Sequence, residues 1–152
     1  MRNALPVLIL SLSISSSCLI SLAQASQKQA ETSLYQRLGG YNAIAAVVND
    51  LVPRLAKDKQ LGRFWEHRGS DGIEREKQLL IDFISNKAGG NLYYTGRNMK
   101  ISHKNMRISE SDWKRLMTHL NATLDKFKLA TRERQDVISF IKSTKDDMVE
   151  LP

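Results

Sequence analysis

The sequence predicts an all-α protein built as one domain. Apolar residues recur at spacings of three and four along several segments, which is the period of a helix with one buried face. Glycine pairs and capping residues stand at the ends of those segments. No stretch alternates apolar and polar residues over enough length to form a sheet. Helices are therefore expected to form the whole core.

Composition agrees with one globular domain. The chain has 152 residues, of which 41% are hydrophobic and 26% charged. The formal net charge of +7 would suit nucleic acid or anionic lipid, but the basic residues are spread along the chain, with no basic run or aromatic-flanked RNA motif. We expect a solvated surface and no nucleic-acid partner. The sequence also contains no P-loop, G-x-S-x-G or G-x-G-x-x-G motif.

Residues 1–25 are predicted to be a signal peptide. Arg2 is their only charge, Leu5 to Leu22 is apolar or rich in serine, and Ala23-Gln24-Ala25 forms an A-x-A cleavage signal. Cleavage near Ala25 predicts an exported, periplasmic protein that meets a membrane only through its export signal.

The single cysteine, Cys18, leaves lipoprotein processing open as an alternative, although Ser15-Ser16-Ser17 does not supply the apolar residues expected before such a cysteine. Cleavage after Ala25 would remove this thiol, so cysteine chemistry is not expected in the mature chain. Residues 26–33 are predicted to be a polar leader, and residues 34–150 the folded domain.

The first two helices follow this leader. A short helix is marked by Leu34, Tyr35 and Leu38, and Gly39-Gly40 should end it, because glycine adopts the left-handed conformation of a helix terminus. The second helix is amphipathic, and Pro53 is expected to kink or finish it. Its apolar stripe consists of Ile44, Val47, Val48, Leu51 and Leu55, and Leu61, Phe64 and Trp65 form an apolar cluster in the connection that follows.

A third helix is predicted from a capping pair, Asp71 and Glu74, through about Lys87. Its apolar stripe is broader than one buried face requires, which suggests contact with both protein and a ligand. Gly89-Gly90 should close it. Residues 91–106 have weak periodicity and are predicted to form a loop with a short helix around His103.

Two more helices complete the prediction. Ser109 is expected to cap the first, with Glu110 and Asp112 near its positive end. Thr131 is expected to cap the last, which should extend to Met148.

The segment before His103 carries the most specific motif. A Tyr-Thr-Gly-Arg turn begins at Tyr94, Met99 follows it, and His103 lies four residues after that methionine. Together with the two glycine pairs, this motif resembles the truncated globins of group I over about Leu34 to Glu150. The resemblance implies a two-over-two helical sandwich around heme b, with His103 as the proximal ligand of the iron. Neutral imidazole suits that role.

The other histidines have weaker contexts. His119 lies on the helix that begins after Ser109 and is expected to be packed or partly exposed. His67 lies in a charged turn and is expected to be solvated unless that turn folds inward.

The resemblance also implies the residues around heme. Phe64 or Trp65 would wedge against the porphyrin, with Trp65 at the usual phenylalanine position; core packing is the alternative. Arg97 would pair with the propionates. Lys100 and Lys104 are further candidates for this role, and ordinary surface exposure is the alternative for both lysines. Tyr94, Met99 and Met106 would pack at the heme edge, although methionine also serves as core filler.

On the distal side the chain departs from the family. The Phe-Tyr pair of many group I members corresponds to Leu51 and Val52, so the tyrosine hydroxyl is missing. Aligning Lys77-Gln78 with the family's Lys-Gln makes Gln78 the hydrogen-bond donor, whereas anchoring on Gly89-Gly90 places Leu80 there. Lys77 is also a candidate sixth ligand, because burial lowers the pKa of a lysine. Val52, Lys77, Gln78 and Ile81 form the predicted distal pocket.

The resemblance implies binding of oxygen, nitric oxide or carbon monoxide, with nitric oxide dioxygenation as an associated redox activity that needs an unknown external reductase. Two alternatives remain: a six-coordinate heme sensor or electron-transfer module, and a heme-free helical binding module.

Overall fold

The computed structural model describes residues 32–152. The predicted signal peptide, residues 26–31 of the predicted leader and Cys18 lie outside the described residues. In the described part the regular elements are helical, and the only extended pairing is an isolated bridge between Ser109 and Leu151. In chain order the elements are α1 (Leu34–Arg37), α2 (Gly40–Lys57), a 3₁₀ helix (Leu61–Phe64), α3 (Ser70–Lys87), α4 (Met99–His103), α5 (Glu110–Lys126), α6 (Thr131–Lys142) and α7 (Lys145–Met148). The all-α prediction is confirmed.

Helix α2 has two apolar stripes, and each packs against a different partner. Ile44, Val48 and Val52 recur every four residues and contact Ile81 of α3. The second stripe faces α5 and the 3₁₀ helix; its cluster contains Leu51, Leu55, Leu61, Leu120 and Leu124. Because both stripes are buried, α2 fixes the positions of α3 and α5 on either side of it.

Tyr35 joins the two glycine pairs. Its backbone N–H donates to the carbonyl of Ala88 at 2.8 Å, and its hydroxyl accepts the N–H of Tyr41 at 3.0 Å. A Cβ on Gly90 would lie 2.7 Å from the Tyr35 ring, and one on Gly40 would lie 3.7 Å from it. Only glycine leaves room for the Tyr35 ring at position 90. The two glycine pairs therefore help to position α1 and also mark the ends of helices.

Four helix boundaries differ from the predictions. Helix α2 continues to Lys57, so Pro53 does not finish it. The residue before α3 is Gly69 and the residue before α6 is Ala130, both with extended backbone and without a side-chain cap. Asp71 and Thr131 therefore lie inside the first turns. The predicted capping pair and threonine cap were wrong, because the helices begin earlier than the polar side chains suggested. Met148 lies in the separate helix α7.

Other boundaries agree. Helix α3 runs to Lys87 and is followed by Gly89 at φ +90°. At the start of α5 the Ser109 hydroxyl accepts the N–H of Asp112 at 3.2 Å, and the Asp112 carboxylate accepts the N–H of Ser109 at 2.9 Å. This reciprocal cap satisfies two backbone donors at once. No helix among residues 32–152 is both long and apolar enough to cross a membrane.

Candidate functional site

A cavity of about 710 Å³ lies among the helices. Every described helix contributes to its wall, from Leu34 of α1 to Met148 of α7. The wall is mostly apolar, and the volume falls within the roughly 300–1,000 Å³ of small-molecule and cofactor sites. The fold is thus built around an internal binding space.

One ring nitrogen of His103 is held by the backbone of its own helix. The residue lines the wall, and its Nδ1 lies 2.9 Å from the Met99 carbonyl oxygen. A carbonyl oxygen only accepts hydrogen bonds, so Nδ1 carries the proton. In the neutral ring Nε2 then keeps its lone pair, which is the tautomer that binds a metal through Nε2.

Local hydrogen bonds hold the short helix that carries His103. The Asn98 side chain caps α4 by accepting the N–H of Ile101 at 2.8 Å, and the Ser102 hydroxyl donates to the Asn98 carbonyl at 2.8 Å. An isolated helix of this length would be unstable in water. These caps, together with tertiary contacts, therefore set the direction of the imidazole.

The Tyr-Thr-Gly-Arg turn is folded back on itself. The Tyr94 hydroxyl donates to the Arg97 carbonyl at 2.8 Å, and a Cβ on Gly96 would lie only 2.2 Å from that hydroxyl. Burial raises the pKa of Tyr94. Its ring packs edge-on against Phe83, with centroids 5.3 Å apart. Glycine is thus needed beside the tyrosine so that its ring can reach the cavity wall.

The loop after His103 is held by the C-terminal segment. Asn105 and Arg107 adopt positive φ angles of 66° and 56°. The Glu150 carboxylate accepts both of their backbone N–H groups, at 2.7 and 2.6 Å. The Ile108 carbonyl in turn accepts the N–H of Glu150 at 2.8 Å. This set of contacts, the Glu150 clamp, stabilises backbone conformations that such residues rarely adopt.

A second network joins the 3₁₀ helix to the start of α5. The buried Asp112 accepts two hydrogen bonds from Arg63, at 2.6 and 3.0 Å, and one from Gln60 at 2.8 Å. Burial alone would raise the pKa of Asp112, but these bonds and those from Ser109 hold it well below its usual range. The network fixes the backbone that presents Phe64 and Trp65 to the cavity.

Seven of the predicted site residues line the cavity. They are Val52, Phe64, Trp65, Tyr94, Met99, His103 and Met106. The Arg97 side chain does not, and neither do Lys100 and Lys104. Arg97 contributes through its backbone carbonyl, which holds Tyr94.

The predicted distal residues of α3 lie off the cavity wall. Lys77 pairs with Glu74 at 2.6 Å. Gln78 donates to the Tyr41 hydroxyl at 2.9 Å and to Asp82 at 2.8 Å, and Ile81 is buried against α2. Leu80 lines the wall, so the structure agrees with the alternative anchored on the glycine pair.

Helix periodicity explains this outcome. The wall residues of α3 follow spacings of three and four, and they are Gly72, Arg75, Glu76, Leu79, Leu80, Phe83 and Ile84. Lys77, Gln78 and Ile81 fall between them. Counting back from Gly89-Gly90 at this spacing would have found Arg75, Glu76 and Leu79, which sequence reasoning missed. It also missed Arg68, whose guanidinium lies 3.1 Å from the Glu76 carboxylate.

The remaining histidines lie outside the cavity wall. His119 Nε2 lies 2.8 Å from Asp58. The hydrogen bond from His119 is the main cause that holds the pKa of Asp58 well below its usual range. His67 is exposed. Of the three histidines, His103 is the one that lines the cavity.

The cavity fits the heme b that the motif's resemblance implies. Its wall is mostly apolar, as the porphyrin faces require, and it includes the imidazole of His103, a side chain of the type that ligates heme iron. One buried polar atom in the wall, Trp65 Nε1, has no hydrogen-bond partner among the described residues. Such atoms in a wall are normally satisfied by a ligand or by water.

Comparison with known proteins identifies the family. The "Bacterial-like globin" family profile matches residues 33–150. A group 1 truncated hemoglobin of Tetrahymena pyriformis is 26% identical over 116 residues, which cover 76% of this chain and 93% of the relative. Group 1 truncated hemoglobin GlbN of Mycolicibacterium paratuberculosis is 30% identical over 94 residues, which cover 62% of this chain and 67% of the relative.

Solved structures share the fold. The Fe(III) form of the T. pyriformis truncated hemoglobin superposes with a TM-score of 0.70 at 24% identity, and the match covers 78% of this chain and 98% of that one. The 2/2 hemoglobin of Synechococcus sp. PCC 7002, solved with covalently attached heme, gives 0.70 at 22% identity and the same coverage. With the two-over-two helical fold and the family match both in place, the chain belongs to the bacterial-like globin family, as a group I truncated globin that binds heme and a diatomic gas.

Proposed function

We propose that His103 holds the iron of heme b and that the protein reversibly binds oxygen or another diatomic gas on the opposite side of the cavity. The observation that carries this proposal is the tautomer of His103. This residue lines the apolar wall, and its Nε2 is unprotonated because Nδ1 donates to the Met99 carbonyl. When bound, ferrous heme supplies the atom that takes up the gas.

The wall residues support distinct roles. Phe64, Trp65, Met99 and Met106 would contact the porphyrin. Arg68 and Arg75 are the guanidinium groups of the described wall. Because guanidinium pairs well with carboxylate, they are better placed than Arg97 to meet the propionates. Val52 and Leu80 would face the gas, and neither carries a hydrogen-bonding group.

Reversible binding is favoured over the six-coordinate alternative. A capped iron needs a second ligand from the chain, and the candidate, Lys77, lies off the wall in an ion pair with Glu74. Nitric oxide dioxygenation at the same site would need electrons from an external reductase, which is an unidentified partner in this proposal.

We also propose that the protein is exported. The support is the sequence of residues 1–25 alone: a charged start, an uncharged segment rich in leucine and serine, and an A-x-A site. Mass measurement of protein recovered from a bacterial periplasm tests this. A chain that begins near Ser26 supports cleavage, and a retained residue 1 in the cytoplasm contradicts it.

The heme proposal is tested by absorption spectra of the ferric and dithionite-reduced protein, purified with heme available. We expect a histidine-ligated spectrum that His103→Ala abolishes. His119→Ala is the matched control, because that histidine lies outside the wall, and it should leave the spectrum unchanged. No Soret band in wild type, or an unaltered spectrum in His103→Ala, would overturn the proposal.

A further inference from the structure

The indole N–H of Trp65 is buried without a partner. Its Nε1 has almost no exposed surface and makes no hydrogen bond to any described residue. Buried tryptophan N–H groups usually find an acceptor, and leaving one unpaired is costly. Because Trp65 lines the cavity, a molecule inside the cavity can supply the missing acceptor.

The ring is held so that it cannot easily turn elsewhere. Phe64 packs against it edge to face, with centroids 6.4 Å apart. The cluster of leucines between α2 and α5 packs against the same ring. The Arg63–Asp112 pair anchors the adjoining 3₁₀ helix at 2.6 Å. Trp65 is therefore a preorganised donor.

Three hydroxyl donors in the described wall are already engaged. The Tyr94 hydroxyl donates to the Arg97 carbonyl, the Ser102 hydroxyl to Asn98, and the Thr144 hydroxyl to the Ile141 carbonyl at 2.7 Å. Arg68 is paired with Glu76.

In the alignment anchored on Gly89-Gly90, the positions of the family's distal tyrosine and glutamine carry no hydrogen-bond donor. Val52 and Leu80 occupy them, both in the wall and both apolar. The indole of Trp65 is thus the neutral, buried and unengaged donor that the described wall offers to a small ligand.

We propose that Trp65 Nε1–H is the hydrogen-bond donor to the diatomic ligand held in the cavity, and that it takes over the role left empty at Val52 and Leu80. This inference rests on the proposed heme site at His103. A single neutral donor favours a polarised gas such as oxygen over carbon monoxide, because the bond strengthens as negative charge moves onto the ligand. Trp65 thereby sets which gas is retained.

The test compares three heme-loaded variants with wild type. Trp65→Phe removes the N–H and keeps an aromatic ring, whereas Trp65→Tyr restores a donor in the form of a hydroxyl. Tyr93→Phe is the control, because it removes a donor from an aromatic ring that is 88% exposed and lies outside the cavity wall. The measurements are the oxygen dissociation rate and the C–O stretching frequency after carbon monoxide is added to the reduced protein.

We expect Trp65→Phe to release oxygen about ten- to a hundredfold faster, the range that corresponds to one lost hydrogen bond, and to raise the C–O stretching frequency. Trp65→Tyr should recover most of both properties, and Tyr93→Phe should change neither. A core role alone would affect heme uptake and stability without moving the C–O frequency.

Two failures are distinguishable. If wild type binds heme through His103 but both readouts are unchanged in Trp65→Phe, the donor assignment is wrong and the heme site stands. If His103→Ala leaves the spectrum unaltered, the proposed site itself fails. As an independent check, the indole ¹⁵N–H resonance lost in Trp65→Phe should shift in wild type when carbon monoxide binds, and an unmoved resonance would contradict the inference.

Discussion

The chemistry that the cavity offers to a ligand depends on which atoms of each wall residue face it. His103 offers Nε2 because Nδ1 is committed to Met99, and Val52 offers only methyl groups in a family where tyrosine is common. Val52 is 2% exposed and lies in the wall, so a substitution there acts directly on the space for the gas.

Val52→Tyr tests this at the scale of one residue. The new hydroxyl should slow oxygen dissociation about tenfold or more, since it adds a donor to a polarised ligand. Overpacking should cost about 1–3 kcal/mol of stability. Stopped-flow oxygen release gives the rate. Val52→Phe is the control for ring size, and equal rates in the two variants would show that the hydroxyl does not reach the ligand.

The sequence places His103, Tyr94 and Met99 in the cavity wall correctly because their contacts are local. Tyr94, Gly96, Met99 and His103 lie within ten residues and contact one another through short-range bonds. Gln78 was misassigned because its role depends on the rotation of α3, which is set by packing of Ile81 on α2. A dipeptide match carries no information on that rotation, whereas the distance to Gly89 does.

At the scale of elements, contacts distant in sequence position the short helices. Tyr35 brings Gly40 and Gly90 together, and the Glu150 clamp joins the loop before α5 to the segment after α7. Neither contact can be predicted from hydrophobic periodicity, because each brings together backbone segments that are far apart in the sequence. Helix starts were also hard to predict where Gly69 and Ala130 precede the first turn, since many residues adopt the extended backbone required there.

Glu150→Gln should loosen the loop after His103. An amide has one accepting oxygen, so one of the N–H groups of Asn105 and Arg107 loses its partner. We expect faster heme loss to a scavenger apoprotein and a changed iron–histidine stretching frequency. Glu133→Gln, which instead weakens the 3.1 Å contact with Arg37, is the control. Equal effects of the two substitutions would mean that general stability, and not the loop, is responsible.

Asp50 joins α2 to α5, and its contacts lead us to expect that the stability of the fold falls in acid. Hydrogen bonds from Arg54, Lys126 and Thr123 lower its pKa to about 2. Because the folded pKa lies below the unfolded value of about 3.9, the stabilisation is complete above that value and is lost as the pH falls toward 2.

Denaturant unfolding at pH 5 and pH 2.5 measures the contribution of Asp50. The free energy of unfolding of wild type should fall more between these values than that of Asp50→Asn. The exposed Asp71 provides the control, Asp71→Asn. Identical falls in wild type and Asp50→Asn would contradict the assignment.

For the molecule as a whole, the cavity makes cofactor binding part of folding. All the described helices line it, so a bound cofactor would contact each of them. Ligand that binds only the folded state stabilises it by about 4 kcal/mol at a thousandfold excess over its Kd. We therefore expect loss of heme to lower the free energy of unfolding of the whole domain.

Heme removal should accordingly lower the thermal midpoint and the helix content. Far-UV circular dichroism of heme-free and heme-loaded protein measures both. His103→Ala should show a smaller gain on addition of heme, because the axial bond is lost. Equal midpoints with and without heme in wild type would show that the cavity is not coupled to folding.

The Glu150 clamp also has a consequence for biosynthesis. Residues of a chain leave the ribosome in order, and Glu150 emerges well after His103 and the loop that it holds. The loop after His103 is thus without its carboxylate support until Glu150 has been synthesised. Heme capture at full strength is a late event in the life of the chain, after the final helix has closed onto the loop behind His103.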